Sequence, residues 1–299
     1  MKQSSLVVVV TGCSSGFGHL MIEPLAKAGH TVFATMREIN GRNREAADAL
    51  RNLSGSLKVH VLELDATSDA SVDAAVGSVL REAGHIDVVV NNAGIMPVGV
   101  TEAFTIDQMR TTFEANVLGS FRVIRAVLPG MRRQGSGLLV QISSVNGRIS
   151  VPFMGVYNAS KYAVEGLAET LGYELAPFGI ESCIVEPGPF PTQLLSNSPA
   201  PADAARVADY GEMGKGREKI LGAADVMFAD AKLPVQNSLV VSAVVDLIGR
   251  PAGERPLRTV VGLDLGAAKL NELTAPFAKN ALEALHMPEL ENVKTARRK

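Results

Sequence analysis

The chain has 299 residues and a formal net charge of −2, with 46% apolar and 20% charged residues. This balance is typical of a globular chain with a sizeable core, and it argues against a disordered, collagen-like or coiled-coil protein. Because a nearly neutral chain has no bulk attraction to nucleic acid or anionic lipid, we expect neither as a partner.

Cysteine and histidine usage indicates the compartment and argues against a metal. Cys13 and Cys183 are too few for a disulfide framework, and neither has the spacing to another Cys or His that a zinc site needs. The five histidines are scattered, so no metal site is expected. The apolar run at 6–10 is far shorter than a membrane span of about 20 residues. We therefore expect a cytoplasmic protein with no membrane span.

Short β-branched segments alternate with longer segments at helical spacing, which predicts repeated βα units. Seven strands are predicted, at 6–10, 31–35, 57–64, 86–91, 137–143, 180–187 and 257–262. Most are apolar on both faces, which is typical of strands covered by helices on both sides. The predicted fold class is therefore α/β: one doubly wound Rossmann-type domain over 1–299, with a seven-stranded, mostly parallel sheet flanked by helices.

Helices are predicted between these strands, at 16–28, 43–53, 68–83, 105–134, 155–176, 239–248 and 271–286. Thr67 or Ser68, and Thr105, are the predicted capping residues, because a side-chain oxygen there can accept from a free N–H group. Pro24 lies inside the first predicted helix and removes one hydrogen bond, so a kink or strong packing support is expected.

Two segments interrupt this pattern. Residues 188–233 are rich in Pro, Ala, Asp and Gly and carry isolated apolar residues. An insert of this length in a compact sheet is more often functional than a linker, so we interpret it as a substrate lid. Residues 288–299 are interpreted as a solvated C-terminal tail.

The first strand runs directly into a glycine-rich turn, TGCSSGFG at 11–18. Glycines let the backbone approach a pyrophosphate, and the start of the following helix offers free N–H groups. The alternative is a tight turn with no ligand. The residues predicted here to bind a dinucleotide are Gly12, Ser14, Ser15, Gly16, Phe17 and Gly18.

A second motif follows a later strand. Tyr157 and Lys161, in YNASK, are four residues apart and so share one helix face. A nearby cation favours the phenolate, which predicts a lowered pKa for Tyr157 and makes it usable as an acid or base. Ser144 lies thirteen residues before Tyr157, at the end of a predicted central strand, where its hydroxyl can hold a carbonyl oxygen. Ser143 is its competitor.

Together these motifs resemble the short-chain dehydrogenase/reductase family, in the branch with TGxxxGxG and YxxxK, over most of residues 5–190. The branch that includes sugar-nucleotide epimerases is disfavoured, because His19 stands where its third glycine would fall. The segments VFATMRE and PLRTVVG look like those of hydroxysteroid and retinol dehydrogenases. The family spacing selects Ser144 over Ser143.

The resemblance implies further site residues. Asn116 matches the active-site asparagine of the family; the alternative is a buried Asn satisfied by the backbone. Asp65 matches a position that contacts adenine, or it simply caps the next helix. The motif NNAG supplies Asn92, Ala93 and Gly94 beside the cofactor, or braces the central strands. The motif EPGPFPT resembles the one that contacts the nicotinamide and supplies Pro187, Gly188, Phe190 and Thr192, with Phe190 where the family commonly has a branched aliphatic residue. Tyr157 and Lys161 are also predicted to bind the cofactor, Lys161 at the nicotinamide ribose.

The tip of the second strand indicates which cofactor binds. An NAD enzyme usually presents an acidic residue there to the ribose hydroxyls, but this chain has Met36. Arg37 follows, and a guanidinium suits a 2′-phosphate. NADP(H) is therefore favoured and NAD(H) remains possible; the alternative is that Arg37 is only a surface charge.

The resemblance implies an oxidoreductase that interconverts a carbonyl and a secondary alcohol. Tyr157 would donate the proton, and Ser144 would hydrogen-bond the substrate oxygen. Lys161 would lower the pKa of Tyr157 and hydrogen-bond the nicotinamide ribose. Asn116 would place a water in a proton relay. The alternative from another class is an NADP(H)-binding regulator or scaffold; no feature supports a racemase or dehydratase.

The sequence also bears on the class of substrate and on the oligomeric state. The predicted lid has isolated apolar residues, which favours a moderately bulky, mostly apolar small molecule. Lys215, Arg217 and Lys219 could meet an acidic substrate or form a solvated helical face. A homodimer or homotetramer is implied by the resemblance, through the helices at 105–134 and 155–176.

Overall fold

A seven-stranded sheet forms the centre of the fold in the computed structural model, which describes residues 5–291. The strands are β1 Val7–Val10, β2 Thr31–Met36, β3 Val59–Glu63, β4 Val88–Asn91, β5 Gly137–Ile142, β6 Ile180–Pro187 and β7 Arg258–Val261. Their order is β3-β2-β1-β4-β5-β6-β7. The predicted α/β fold class is confirmed. Every strand pairing is parallel, so the sheet is wholly rather than mostly parallel.

Helices cover both faces of this sheet. Within residues 5–291 they are α1 Gly16–Leu20, α2 Ile22–Lys27, α3 Arg44–Arg51, α4 Asp69–Ala83, α5 Ile106–Phe113, α6 Gly119–Gln134, α7 Gly155–Leu175, α8 Gln193–Ser196, α9 Ala204–Asp209, α10 Gly216–Ala229, α11 Asn237–Gly249 and α12 Ala267–Ala284. No described helix is long and apolar enough to cross a membrane. The cytoplasmic location stays a prediction.

The four valines of β1 show why the sheet is covered twice. Val8 and Val10 belong to a core cluster with side chains of α2, α3 and α11. Val7 and Val9 point to the other face and belong to a cluster with side chains of α4, α6 and α7. Because successive side chains alternate, a strand that is apolar at every position buries both faces.

Two predicted helices are interrupted. The helix expected at 16–28 divides at Met21, so Pro24 lies in the first turn of α2, where its missing N–H leaves no hydrogen bond unmade. The helix expected at 105–134 divides around a π-helical turn, Glu114–Leu118. The predicted caps are present: Ser68 Oγ accepts from Ser71 N, and Thr105 forms a capping box with Gln108.

The segment 188–233, for which no helix is predicted, is partly helical, and its interpretation as a substrate lid stays a prediction. It contains α8, α9 and α10, with a 3₁₀ turn at Gly211–Lys215. Two of these helices span only four and six residues, and α10 has little apolar periodicity, which is why the sequence pattern did not show them. Of the predicted tail, Pro288–Glu291 forms a 3₁₀ turn, and 292–299 lie outside the described residues.

Candidate active site

A cleft of ≈ 590 Å³ opens beyond the carboxyl ends of the strands. The strand order reverses between β1 and β4, which is where open α/β sheets bind ligands. The predicted cofactor residues that line the cleft are Gly12, Ser14, Ser15, Gly16, Phe17, Arg37, Asp65, Asn92, Ala93, Gly94 and Thr192. The cleft is also lined by residues that no sequence motif indicates as cofactor contacts: Arg42, Asn43, Leu64, Ala66, Thr67, Ile95, Met96, Ala115, Gln193, Leu194 and Asn197.

The glycine turn is held in a shape that side chains would disrupt. Gly12 has φ +71°, and a Cβ there would lie 2.8 Å from Ala93 Cα. A Cβ on Gly18 would lie 2.4 Å from Gly12 O, so Gly18 permits close packing of the turn and does not line the cleft. Gly16 has φ +57°, and a Cβ there would lie 3.7 Å from Thr192 Cβ, an ordinary contact. Its left-handed backbone, rather than crowding, is therefore what favours glycine at this position.

The NNAG motif braces this turn. Asn92 Nδ2 donates to Thr11 O at 2.9 Å and to Gly12 O at 3.2 Å. Thr11 Oγ1 accepts from Asn92 N at 3.0 Å and from Ala93 N at 3.1 Å. The Asn92 side chain therefore braces the backbone of the glycine turn. The cofactor contacts predicted for Asn92, Ala93 and Gly94 stay predictions.

Two cations stand at the outer end of the cleft. Arg37 follows β2, and Arg42 lies in the turn before α3; both line the cleft beside Met36. Asn43 Nδ2 donates to Arg37 O at 2.7 Å and holds the turn. The only sequence signal for Arg42 was a second arginine close after Arg37.

Asp65 is the anionic group at this end. Its Oδ1 accepts from Thr67 N at 2.9 Å and from Thr67 Oγ1 at 2.8 Å. Partial burial acts to raise the pKa of Asp65, but these two hydrogen bonds and the charge of Arg37 outweigh it and lower the pKa. Asp65 is therefore ionised at neutral pH, and its contact with adenine stays a prediction.

The predicted catalytic side chains Ser144, Tyr157 and Lys161 come together where β5 ends and α7 begins. They are 7%, 4% and 7% exposed. Lys161 Nζ lies 5.6 Å from the centroid of the Tyr157 ring and donates to Ile142 O at 2.8 Å. Ser144 hydrogen-bonds Tyr157, and its Oγ also lies 3.4 Å from Pro187 O. One helical turn and one strand end thus bring a phenol, an ammonium and a hydroxyl into one place.

Burial dominates the protonation of this group. It raises the pKa of Tyr157 to about 12, and the hydrogen bond from Ser144 opposes this only in part. The predicted depression of the Tyr157 pKa is therefore wrong in this structure. Burial lowers the pKa of Lys161 to about 8, while the charge of Glu165 opposes it. At neutral pH Tyr157 holds its proton and most Lys161 side chains are ammonium ions.

Asn116 lies in the π-helical turn and is buried. Its Oδ1 accepts from Ile95 N at 2.8 Å, and its Nδ2 donates to Ile95 O and Ser160 Oγ, both at 2.9 Å. The protein therefore supplies hydrogen-bond partners for both ends of the Asn116 amide, as expected for a buried asparagine with a structural role. Ile95 lines the cleft and Ser160 precedes Lys161, so Asn116 joins these two parts of the site; its place in a water relay stays a prediction.

The motif after β6 lies partly outside the cleft. Phe190 is buried, with its ring edge-on to Phe17 at 5.5 Å between centroids. A Cβ on Gly188 would lie 2.1 Å from Leu263 O, so this glycine permits close backbone packing. Pro187 O lies 3.4 Å from Ser144 Oγ, and only Thr192 of the four predicted residues lines the cleft. The cofactor contacts of Pro187, Gly188, Phe190, Tyr157 and Lys161 stay predictions.

An apolar wall surrounds Tyr157. Val98, Met154 and Tyr157 form a buried cluster, against which Met96, Val151, Leu195 and Ile220 pack. Leu195 and Ile220 come from α8 and α10, so the segment 188–233 contributes to the surroundings of the phenol. Among residues 5–291, no group of three or more His, Cys, Asp or Glu side chains is arranged to hold a metal ion.

Of the three basic residues that could meet an acidic substrate, Arg217 hydrogen-bonds to this wall. Arg217 Nη1 donates to Val98 O at 3.1 Å and Ser198 Oγ at 3.0 Å, and its Nη2 donates to Ser198 O at 2.9 Å. Lys215 pairs with Glu212, and Lys219 is exposed. Arg217 therefore ties α10 to the wall.

A wholly parallel doubly wound sheet with a glycine turn at its switch point is the architecture with which open α/β proteins bind dinucleotides. The sequence model of the short chain dehydrogenases matches residues 6–203. The chain belongs to the short-chain dehydrogenase family, whose members act on alcohols and carbonyls, and the predicted family is confirmed.

Two human proteins show which members the chain is similar to. The 17-beta-hydroxysteroid dehydrogenase type 1 is 41% identical over 194 residues, which are 63% of this chain and 58% of that protein. Retinol dehydrogenase 8 is 36% identical over 253 residues, 83% of this chain and 79% of that protein.

Solved structures share the fold over nearly the whole chain. A short-chain dehydrogenase from Streptomyces avermitilis is 33% identical, with a TM-score of 0.72 over 95% of this chain and 97% of its own. The actinorhodin polyketide ketoreductase was solved with NADPH (30% identical, TM-score 0.71, 88% of this chain and 97% of that one). A short-chain dehydrogenase/reductase from Burkholderia phymatum was solved with NAD (25% identical, TM-score 0.72, 95% and 96%). Structural neighbours thus bind either nucleotide.

Proposed function

We propose that the chain is an NADP(H)-dependent oxidoreductase that interconverts a carbonyl and a secondary alcohol on a moderately bulky, mostly apolar substrate. The observation that carries the proposal is the buried convergence of Ser144, Tyr157 and Lys161 beside a cleft at the strand-order reversal. A reaction that moves a proton to oxygen requires a held donor and a second group on the same oxygen.

The protein's own residues have distinct tasks in this reaction. Bound NADP(H) would supply or accept the hydride. In carbonyl reduction, Tyr157 donates its proton to the substrate oxygen, and Ser144 hydrogen-bonds that oxygen as negative charge develops. Lys161 uses one N–H on Ile142 O, so two remain for a ribose hydroxyl and for stabilising the phenolate left on Tyr157. Alcohol oxidation is the same path reversed.

The outer end of the cleft supports NADP(H). Met36 offers no carboxylate to a ribose diol, whereas Arg37 and Arg42 both line the cleft and can meet a 2′-phosphate. Along the turn, Gly12, Gly16 and their neighbours would hold the pyrophosphate. NAD(H) is the alternative cofactor, and the choice between the two nucleotides is a separate part of the proposal.

The wall around Tyr157 supports an apolar substrate. Val98, Met154 and the side chains packed on them present carbon and sulfur to the phenol, and a small apolar molecule loses least on entering such a site. The named substrates of the two human relatives, a hydroxysteroid and retinol, are of the same character.

Assembly is part of the proposal. A homodimer or homotetramer through α5, α6 and α7 would cover apolar side chains that are exposed in the single chain. These exposed side chains are Ile106, Met109, Leu118, Tyr162 and Leu167.

The first experiment measures NADPH oxidation and NADP⁺ reduction by the purified protein with a panel of ketones, aldehydes and secondary alcohols, with NADH and NAD⁺ in parallel. Turnover of an apolar carbonyl, faster with NADPH, is expected. NADPH binding without turnover of any compound would favour the regulator or scaffold, and binding of neither nucleotide would overturn the assignment.

A further inference from the structure

A buried ionic cluster continues along α7 beyond Lys161. Glu165 and Glu169 follow at intervals of four residues, and their side chains are 3% and 25% exposed. Arg258 of β7 donates to both carboxylates, from Nε to Glu165 Oε2 at 2.9 Å and from Nη2 to Glu169 Oε2 at 2.7 Å. A Cβ on Gly147 would lie 2.8 Å from Glu165 Cγ, so the backbone closes over Glu165 and excludes water.

The cluster extends to the C-terminal helix. Glu186 of β6 is fully buried, with Oε1 3.3 Å from Arg258 Nε and Oε2 accepting from Asn271 Nδ2 at 2.7 Å. Arg148 donates to Asn271 Oδ1 and Thr274 Oγ1, both at 2.8 Å. The groups on α7 are thereby connected through β6 and β7 to α12.

Lys161 has no carboxylate within ion-pair distance among the described residues, although it is buried. Glu165 is one turn along the same helix face, and its charge opposes the effect of burial on the ammonium. Glu165 is thus the anionic group of α7 placed to favour a charged lysine.

We infer that Glu165 is a positioning residue, held by Arg258 one helical turn from Lys161, which keeps Lys161 in its ammonium form during the proposed reaction. The inference rests on the proposed function, because Lys161 matters to turnover only if Tyr157 is the proton donor. The arrangement gives Glu165 a task that the family motif YxxxK does not include.

The neighbouring charges are compatible with this role. Charged groups act on Glu165 from the elements packed around it: Lys161 on α7, Arg148 after β5, Glu186 on β6 and Arg258 on β7, while Glu169 shares Arg258 with it. From α12, Asn271 and Thr274 are neutral. Burial, and then the charge of Glu165, raise the pKa of Glu186 to about 7. Burial also raises the pKa of Glu165, while hydrogen bonds with Ser143 and Arg258 and the charges of Arg258 and Arg148 oppose this.

The sign of the effect follows from these charges. Loss of the Glu165 charge removes the influence that raises the pKa of Lys161, so the lysine loses its proton at lower pH. For Glu165→Gln, the alkaline limb of kcat for carbonyl reduction should move down by about half a pH unit or more.

The test measures Lys161 in two independent ways. Its ionisation is followed by carbon-13 NMR of lysine-labelled protein, assigned with Lys161→Arg, and kcat and KM are recorded against pH in the full chain. The NMR midpoint should fall with the kinetic limb in Glu165→Gln. Glu169→Gln, which also loses a bond to Arg258, is the matched control and should leave both unchanged. Glu165→Asp keeps the charge and should restore most of the shift.

Several outcomes would overturn the inference. One is an unchanged NMR midpoint in folded Glu165→Gln, and another is an equal shift in Glu169→Gln, because the effect would then arise through Arg258. Melting curves show whether Glu165→Gln folds. If it does not, Glu165→Asp is the deciding variant: a fall of about half a pH unit or more in its NMR midpoint for Lys161 contradicts the role assigned to the charge of Glu165. Failure of the proposed function is distinguishable: wild-type protein would not turn over, while the NMR midpoint would still depend on Glu165.

Discussion

The two sides of the cleft are built by different means. On the nucleotide side, the turn at 11–18 is shaped by the main chain, with positive φ at Gly12 and Gly16 and with Asn92 donating to backbone carbonyls. On the side of the proposed reaction, which we call the reaction side, the atoms that would act belong to side chains, the hydroxyl of Tyr157 and the ammonium of Lys161, both buried.

The difference reflects the chemistry of the two tasks. Main-chain N–H groups suffice to bind a pyrophosphate, so that side of the cleft requires residues small enough to let the backbone approach. Proton transfer requires one atom in one place, held away from water. A substitution that adds a Cβ to a glycine should therefore damage the nucleotide side, and one that removes a side-chain hydroxyl should damage the reaction side.

Tyr157→Phe should have the largest effect, a fall in kcat of about 10²- to 10⁴-fold, because the proton donor is lost. NADPH affinity should change by less than about threefold, since the phenol is buried beside the nucleotide cleft and not in its wall. Steady-state kinetics and a fluorescence titration measure the two quantities. Tyr162→Phe is the control: Tyr162 is on the same helix and 42% exposed, and turnover should persist. Normal turnover in Tyr157→Phe would show that the proton comes from elsewhere.

Gly18→Ala should damage the nucleotide side, because its Cβ would lie 2.4 Å from Gly12 O and from Asn92 Nδ2. The free energy of unfolding should fall by about 1–3 kcal/mol, with NADPH binding weakened as the turn shifts. Urea denaturation and nucleotide titration measure both. In Gly166→Ala, the control on α7, the new Cβ meets no atom within 4 Å and should be tolerated. Equal behaviour of the two variants would contradict the close packing argued for Gly18.

Arg37→Glu tests a charged side chain of the nucleotide side. The NADPH to NADH ratio of kcat/KM should fall by about tenfold, about 1.4 kcal/mol. Met36→Asp, which supplies the missing carboxylate, should shift the ratio in the same direction. Arg44→Glu makes the same charge change on an exposed side chain outside the cleft and should leave the ratio unchanged. An unchanged ratio in Arg37→Glu would mean that Arg37 does not contact the phosphate.

Arg217→Met should have the smallest effect, on the apolar wall of the reaction side. It removes three hydrogen bonds that tie α10 to Val98 and Ser198, so substrate KM should rise by about three- to tenfold with little change in kcat. Lys219→Met, at an exposed position of the same helix, is the matched control. A fall in kcat with KM constant would place Arg217 in the chemical step instead.

Local patterns predicted the sheet well. All seven predicted strands are present with ends within two residues of those observed, because a run such as the four valines of β1 is apolar at every position and has no other stable place. The glycine turn and YNASK were equally visible, since their chemistry depends on spacing within one short segment.

The interruptions were not predictable from the same patterns. The π-helical turn at Glu114–Leu118 contains Asn116, which bonds Ile95 and Ser160 on distant segments. In the segment 188–233, α10 has little apolar periodicity and is held by Arg217. Arg42 belongs to no motif, and only the course of the chain before α3 brings it into the cleft.

The sequence alone therefore determined the fold class, the glycine turn and the residues predicted for catalysis, because each depends on apolar runs or on spacings of a few residues. Tertiary structure decided the electrostatics. Tyr157 and Lys161 are four residues apart in any helix, yet only burial by the whole fold raises one pKa and lowers the other. Glu165 meets Arg258 across 93 residues of sequence, and that contact exists only because β6, β7 and α7 pack together around it.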